Sequence, residues 1–200
     1  MNYPDGSRRR MTKNYNRQIN YQNRGMSLEE DINMTNEFYL STNKAVIHKK
    51  PTPIQVVNVH YPKRSAAVIT EAYYQQASTT DYNGVYRGKY IDFEAKETKN
   101  KTSFPLGNVQ EHQIEHMRSV VQHDGIAFFI IRFSFHNETF FLQAKDLLTY
   151  WDNMLLGGRK SIPYKTFQNK AVVIPFDYQA RVNYLKVVDS LYFRTEEDER

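Results

Sequence analysis

Residues 90–97 read Tyr-Ile-Asp-Phe-Glu-Ala-Lys-Glu. At period two, Ile91, Phe93 and Ala95 fall on one face and Asp92, Glu94 and Lys96 on the other. The apolar face predicts a strand laid on a core. The polar face sets a carboxylate and an ammonium one strand repeat apart, about 7 Å. A weak surface ion pair is the ordinary reading of that spacing. An alternative is that the strand holds the two groups rigidly for chemistry.

Outward from this strand the pattern alternates between helix and sheet. Ser27 with Glu30 three residues on forms a capping box, and Leu28, Ile32, Thr35 and Tyr39 recur at helical spacing, so 27–42 is predicted as a helix. A short strand follows at 45–49. Two strand-like runs, 54–60 and 65–76, flank Tyr61-Pro62-Lys63-Arg64 and predict a long hairpin with a basic tip. Asn83-Gly84 reads as a turn that folds Asp81 back beside the 90–97 strand. Downstream, 98–107 reads as a polar loop. A helix is predicted over 108–125, with Asn108 as N-cap and Gly125 past its end. The run Ile126–Phe133 is apolar but for Arg132 and suits a strand buried on both faces. A strand (139–144), a helix (145–156), a loop with Pro163, a short strand (171–174) and an amphipathic helix (180–193) complete the chain. This order gives an α/β domain with a mixed sheet flanked by helices.

The charge is uneven. Residues 1–25 carry Arg8, Arg9, Arg10, Lys13, Arg17 and Arg24 against the single acid Asp5, which matches the whole chain's net +5. Residues 1–22 therefore read as a disordered basic arm, suited to phosphate backbones or to solubility alone. Residues 23–194 form the folded domain, with the hairpin at 54–76, and 195–200 an acidic tail. The chain has no cysteine, which removes disulfides, thiolate zinc sites and thiol nucleophiles. No secretory h-region or membrane-length apolar run is present, so a cytoplasmic location is expected.

Asp81, Glu94 and Lys96 are the residues expected to carry chemistry. Two converging carboxylates suit Mg²⁺, a hard cation that takes oxygen ligands. A lysine beside them stabilises charge building on a phosphate. Arg87, Lys89, Lys99 and Lys101 flank the strand, interleaved with Tyr82, Tyr86, Tyr90 and Phe104. A basic rim of this kind offsets the repulsion between an acidic site and DNA. Two other readings stand beside this one. His112-x-x-Glu115-His116 matches an inverted zinc-protease pattern. The basic arm alone would serve a non-catalytic DNA-annealing scaffold.

An acid, then a strand bearing Glu-x-Lys, then a helix resembles the restriction-endonuclease-like core. The segments NRGMSLEEDIN, AVIHKKPTP, VNVHYPKRSAAVI, STTDYNG, YIDFEAKETKNKTSFPL and HQIEHM, in this order over about 23–192, look like the RecU family of bacterial Holliday-junction resolvases. The resemblance implies a homodimer that nicks four-way DNA junctions symmetrically with Mg²⁺, for which Mn²⁺ substitutes, during recombination and repair. It implies a metal site drawn from Thr79, Asp81, Glu94 and Gln113, with Lys96 as transition-state stabiliser. Where the wider superfamily often has proline before its first acid, this chain has Thr80. The hairpin is implied to be a stalk entering the junction. Expected DNA contacts are Arg24, Lys49, Lys63, Arg64, Arg87, Lys99 and Lys101, and Glu30 is a candidate supporting acid behind the metal ligands. A branch-migration helicase and a strand-exchange recombinase are the implied protein partners, with the protein near the nucleoid.

Overall fold

A computed structural model describes residues 27–75 and 79–193. The predicted arm, Arg24 and the acidic tail lie outside the described residues, as does Gln76, the last residue of the expected hairpin.

In chain order the elements are α1 (Leu28–Ser41), β1 (Val46–Lys49), β2 (Ile54–His60), β3 (Val68–Tyr74), β4 (Tyr82–Tyr86), β5 (Lys89–Thr98), β6 (Ser103–Pro105), α2 (Glu111–Gln122), β7 (Ile126–Phe133), β8 (Glu138–Gln143), α3 (Ala144–Leu155), β9 (Ser161–Pro163), α4 (Tyr164–Lys170), β10 (Val172–Val173) and α5 (Tyr184–Tyr192). One sheet runs β1-β4-β5-β7-β8-β10. Only β5 and β7 are parallel in it. A parallel pair needs a crossover, and α2 supplies it. The small pair β6–β9 stands apart.

The sheet is covered on both sides. Ile91 and Phe93 of β5 and Ile126, Phe128 and Ile130 of β7 meet α1 and α5 through Leu28, Ile32, Tyr39, Tyr184 and Leu185. The opposite face, with Ala127, Phe129, Ile131 and Phe133, meets α2, α3 and α4 through Ile114, Met117, Leu147, Trp151 and Phe167. This is why β7 is apolar at every position but Arg132, whose guanidinium pairs with buried Asp31 at 2.8 Å. A file of stacked rings crosses four strands: Tyr82–Phe93 at 4.8 Å, Phe93–Phe128 at 4.9 Å and Phe128–Phe141 at 4.2 Å. Slipping one strand by a residue would turn its ring to the other face, so this file fixes the register.

Three local expectations shift. The β4–β5 turn falls at Arg87-Gly88, both at positive φ (48° and 75°), not at Asn83-Gly84. Gly84 lies within β4, where a Cβ would stand 2.0 Å from the Val46 carbonyl oxygen, so it is there for the close approach of β1. α2 is capped by Gln110 instead of Asn108, in a reciprocal pair with Gln113, because a 3₁₀ turn takes up Leu106–Asn108. The last helix begins at Tyr184, since Arg181 is drawn to Asp31 and Val182 bridges to Phe176. The capping box of α1 forms as expected.

The hairpin stands outside this architecture. β2 and β3 pair only with each other. Every β2 residue is exposed, and β3 has only Glu71 partly covered. The register shifts at Val56–Asn58 and Asn58–Val59 mark an irregularity that bends such a ribbon. A projecting hairpin is therefore present.

Candidate active site

Register brings the expected acids together. Tyr82 pairs with Phe93, so the preceding residue, Asp81, falls opposite Glu94. The Asp81 N–H donates to Glu94 Oε2 at 3.0 Å. Glu94 is fully buried even though it lies on the polar face of β5. Lys96 Nζ stands 2.8 Å from Glu94 Oε1, close enough for an ion pair but off the angle of a hydrogen bond. Oε1 is thus ion-paired with the Lys96 ammonium. Burial, and then the Asp81 carboxyl, push the Glu94 carboxyl from its ordinary 4.5 up to about 7, against the pull of Lys96. A buried carboxylate, a second carboxylate across the rung and a lysine beside them fit a hard divalent cation.

The other expected ligands have visible occupations. Thr79 is half-buried and its Oγ1 donates to the Thr80 carbonyl at 3.4 Å. Gln113 is buried in the first turn of α2, where its Oε1 accepts from Gln110 N at 3.0 Å. Glu30 accepts from Ser27 N at 3.0 Å, so the structure gives it a capping role. The acid that reaches toward this edge of the sheet is Glu97, which sequence reasoning missed. Its carboxylate takes Leu28 N at 3.3 Å and Ser134 Oγ at 2.6 Å. A cleft of about 250 Å³ lies here, lined by Ser27, Leu28, Glu29, Asp81, Tyr82, Ala95 and Glu97.

The expected DNA-contacting cations divide into three groups. Lys63 and Arg64 are exposed at the hairpin tip, and Lys99 is exposed just past β5. Lys49 is engaged by Glu29, and Lys101 rides over Phe135 at 4.0 Å. Arg87 pairs with Asp189 at 3.1 Å and sits over Phe193 at 4.6 Å. It lies at the far end of β5, about 20 Å along the strand from Glu94 at ~3.3 Å per residue. The histidine pattern on α2 does not converge as a zinc site. Glu115 is exposed and faces Arg118, while His116 turns to Asp92 at 3.1 Å.

Sequence reasoning also passed over Asp92. It is fully buried on the face shared by Glu94 and Lys96. It accepts from Lys50 Nζ at 3.0 Å, Tyr90 OH at 2.8 Å, His116 Nε2 at 3.1 Å and, in a short contact, Thr80 Oγ1. The signal was in the open, a second acid on the same face, but its partners are distant in sequence.

A helix, a three-stranded antiparallel meander β1-β4-β5, a crossover helix and a parallel fourth strand make the restriction-endonuclease-like core. An acid entering β4 lies opposite Glu-x-Lys on β5. Within the class, the chain belongs to the RecU family: the family model described as recombination protein U matches residues 23–190. The chain is 65% identical over 196 residues to the Holliday junction resolvase RecU of Oceanobacillus iheyensis, covering 96% of this chain and 100% of that protein. It is 59% identical over 196 residues to the protein of the same name from Geobacillus kaustophilus, covering 96% of this chain and 98% of the relative. Among solved structures, Archaeoglobus fulgidus Hjc, a Holliday junction resolvase, aligns with TM-score 0.39 and 9% identity over 71% of this chain and 94% of its own.

Proposed function

We propose that the protein is an endonuclease that resolves four-way DNA junctions by paired, symmetric nicks in homologous recombination and repair. The observation that carries this reading is the meeting of Asp81, Glu94 and Lys96 at one end of β4 and β5, with Glu94 fully buried between them. Near-complete coverage by relatives named as resolvases supports the substrate.

Asp81 and Glu94 would hold Mg²⁺, or Mn²⁺ in its place, with Thr79 and Gln113 as further ligands. When bound, the ion supplies Lewis-acid polarisation of the phosphodiester and a more acidic water. Lys96, held beside Glu94, stabilises the negative charge that builds on the phosphate oxygens as the bond breaks. The rigid strand keeps these groups at fixed separation, which a loop would not. Lys63 and Arg64 on the hairpin meet the crossover, while Arg24, Lys49, Lys99 and Lys101 face the arms. A two-fold dimer matches the near two-fold symmetry of the junction and accounts for cuts in pairs. The protein works in the cytoplasm at the nucleoid, beside a branch-migration helicase and a strand-exchange recombinase. No helix of the described residues is long and apolar enough to cross a membrane.

The test is incubation with an end-labelled four-way junction and a linear duplex of the same sequence, with Mg²⁺ or with chelator. Symmetric cuts in the junction alone, abolished by chelator, are the expected outcome. Binding without cleavage under any divalent ion would return the protein to a scaffold.

A further inference from the structure

The hairpin and the active site share a root, and Asp92 is at its centre. The chain enters the hairpin from β1 through Lys50 and returns to β4 through Thr80 and Asp81. Lys50 N donates to the Asp81 carbonyl at 2.7 Å, which ties the two legs together. Above this tie, Gln75 N donates to the Pro53 carbonyl at 3.0 Å. Below it, Lys50 Nζ donates to Thr80 Oγ1 at 3.0 Å and to Asp92 at 3.0 Å, while Thr80 Oγ1 itself donates to Asp92. One carboxylate of β5 therefore holds a side chain from each leg. Tyr90 and His116 hold that carboxylate in turn, from its own strand and from α2.

We infer that Asp92 is a positioning residue: it pins both legs of the hairpin to β5 and so sets where the Asp81 carboxylate stands relative to Glu94. This rests on the metal-dependent nuclease reading above. Three observations carry it. Asp92 is fully buried, and a buried carboxylate is costly to desolvate unless paired. Its neighbours on the same side of the sheet in β7, Ala127 and Phe129, are apolar, so packing there does not call for a charge. Its partners bracket the metal-binding segment: Thr80 adjoins Asp81, and Lys50 holds the Asp81 carbonyl. Asp81 thus has its N–H fixed by Glu94 and its C=O fixed by Lys50, and Asp92 sets the second of these.

The experiment compares wild type, Asp92→Asn and Thr80→Val as full-length proteins. Asparagine keeps the size of Asp92 and loses the charge that holds Lys50. Valine keeps the shape of Thr80 and loses the hydroxyl. Mn²⁺ alone is the probe, its binding followed by electron paramagnetic resonance with no DNA present. Losing an outer partner of a metal ligand typically weakens the metal by roughly 10- to 100-fold. Asp92→Asn is expected to weaken Mn²⁺ by that order and to raise the Mg²⁺ concentration for half-maximal junction cleavage in step. A purely structural defect would lower the unfolding temperature and leave the metal midpoint in place. Combining Asp92→Asn with Thr80→Val in one protein is expected to weaken Mn²⁺ no further than Asp92→Asn alone, because both act on one linkage. Should Asp92→Asn fail to fold, Thr80→Val decides, and Mn²⁺ affinity equal to wild type in the folded variant overturns the inference. If wild type cuts junctions and the variants match its metal midpoints, the inference fails and the nuclease reading stands. If the variants bind Mn²⁺ more weakly but wild type cuts nothing, the nuclease reading fails and the positioning role stands.

Discussion

Strand β5 and strand β2 show how differently this chain uses its sheet strands. β5 sits between β4 and β7, with helices over both faces, and from Ile91 to Glu94 it is buried. β2 pairs only with β3 and is exposed along its whole length, including Val56, Val57 and Val59. Burying a valine or phenylalanine is worth roughly 1.5–3 kcal/mol, so apolar residues stabilise the chain at β5 and leave that contribution largely unclaimed at β2. The sheet spends its rigidity on holding a few charged groups in place. The hairpin offers Val56, Val57, Val68, Ile69 and Tyr73 to contacts outside the folded chain. Under the proposed function, chemistry belongs to the first region and shape recognition to the second.

If that division is right, the largest effects come from charge changes at the strand. Lys96→Ala is expected to lower cleavage of a junction by roughly 10²–10³-fold, the range for removing one transition-state donor. Asp81→Asn and Glu94→Gln should cost at least as much, since each removes a carboxylate of the proposed metal site. Lys96→Arg should rescue little, because a planar guanidinium sets its donors differently. Junction affinity, measured without metal, should persist in all of them. Wild-type cleavage in any one would remove that residue from the site.

The next effect is on stability. Phe128 lies in the middle of the ring file, stacked on Phe93 and Phe141. Phe128→Ala should destabilise the protein by about 3–5 kcal/mol. Val57→Ala in the hairpin should stay within about 0.5 kcal/mol, as exposed sites do. Urea denaturation of the two variants measures the contrast directly, and equal losses would mean the hairpin is packed after all.

Glu94 gives the core a pH dependence of opposite sign to that of the hairpin, where Tyr73 and Asn58 hold the Glu71 carboxyl below its ordinary range. The folded-state pKa of Glu94 is raised from 4.5 to about 7, with burial the main cause. The neutral form therefore favours folding. That contribution is complete below the ordinary glutamate value and is lost as pH rises through about 7. In metal-free protein the loss amounts to about 3 kcal/mol at ~1.4 kcal/mol per pH unit of pKa difference. Thermal unfolding should thus show Mg²⁺ stabilising the protein more at pH 8 than at pH 5. Glu94→Gln should flatten the profile and raise the metal-free midpoint at pH 8. A flat wild-type profile would mean that Glu94 is ionised and satisfied without a metal.

What the sequence discloses follows the range of the interactions. The capping box at Ser27 and Glu30 is a local pattern and is present as read; β5 and β7 form as strands, but β5 is buried on both faces from Ile91 to Glu94 and β7 carries Arg132. The β4–β5 turn was misplaced because Gly84 answers to β1, a partner across the sheet, and not to its own backbone angle. β6, β9 and α4 went unread because β6 and β9 are short pieces whose pairing is the only sign of them. In the site, Asp81, Glu94 and Lys96 were legible because one rung and one strand repeat join them. Asp92 was not, since Thr80, His116 and Lys50 approach it from 12, 24 and 42 residues away. The same holds for Arg87, whose partner Asp189 is 102 residues on.

The smallest expected effect tests the hairpin's side of the comparison. A phosphodiester in a junction is chemically that of a duplex, so Glu94 and Lys96 have nothing by which to tell them apart. Recognition of the branch must come from surface that the catalytic strand does not supply. Pro62, Lys63 and Arg64 stand exposed at the end of a ribbon that touches the main sheet only at its root. Positive charge there would offset the crowding of phosphates where four arms meet. Replacing residues 61–67 with a two-residue Asn-Gly turn keeps the His60–Val68 rung and removes that charge. Junction affinity should fall by about tenfold, or about 1.4 kcal/mol. Duplex affinity at the same salt should hold, because the cations near β5 remain. The unfolding midpoint should hold as well, because the tip buries no core side chain. Both affinities have to be read at one salt concentration, since phosphate contacts alone make each strongly salt-dependent. An unchanged ratio would move junction recognition off the hairpin tip and onto the arrangement of the two active sites.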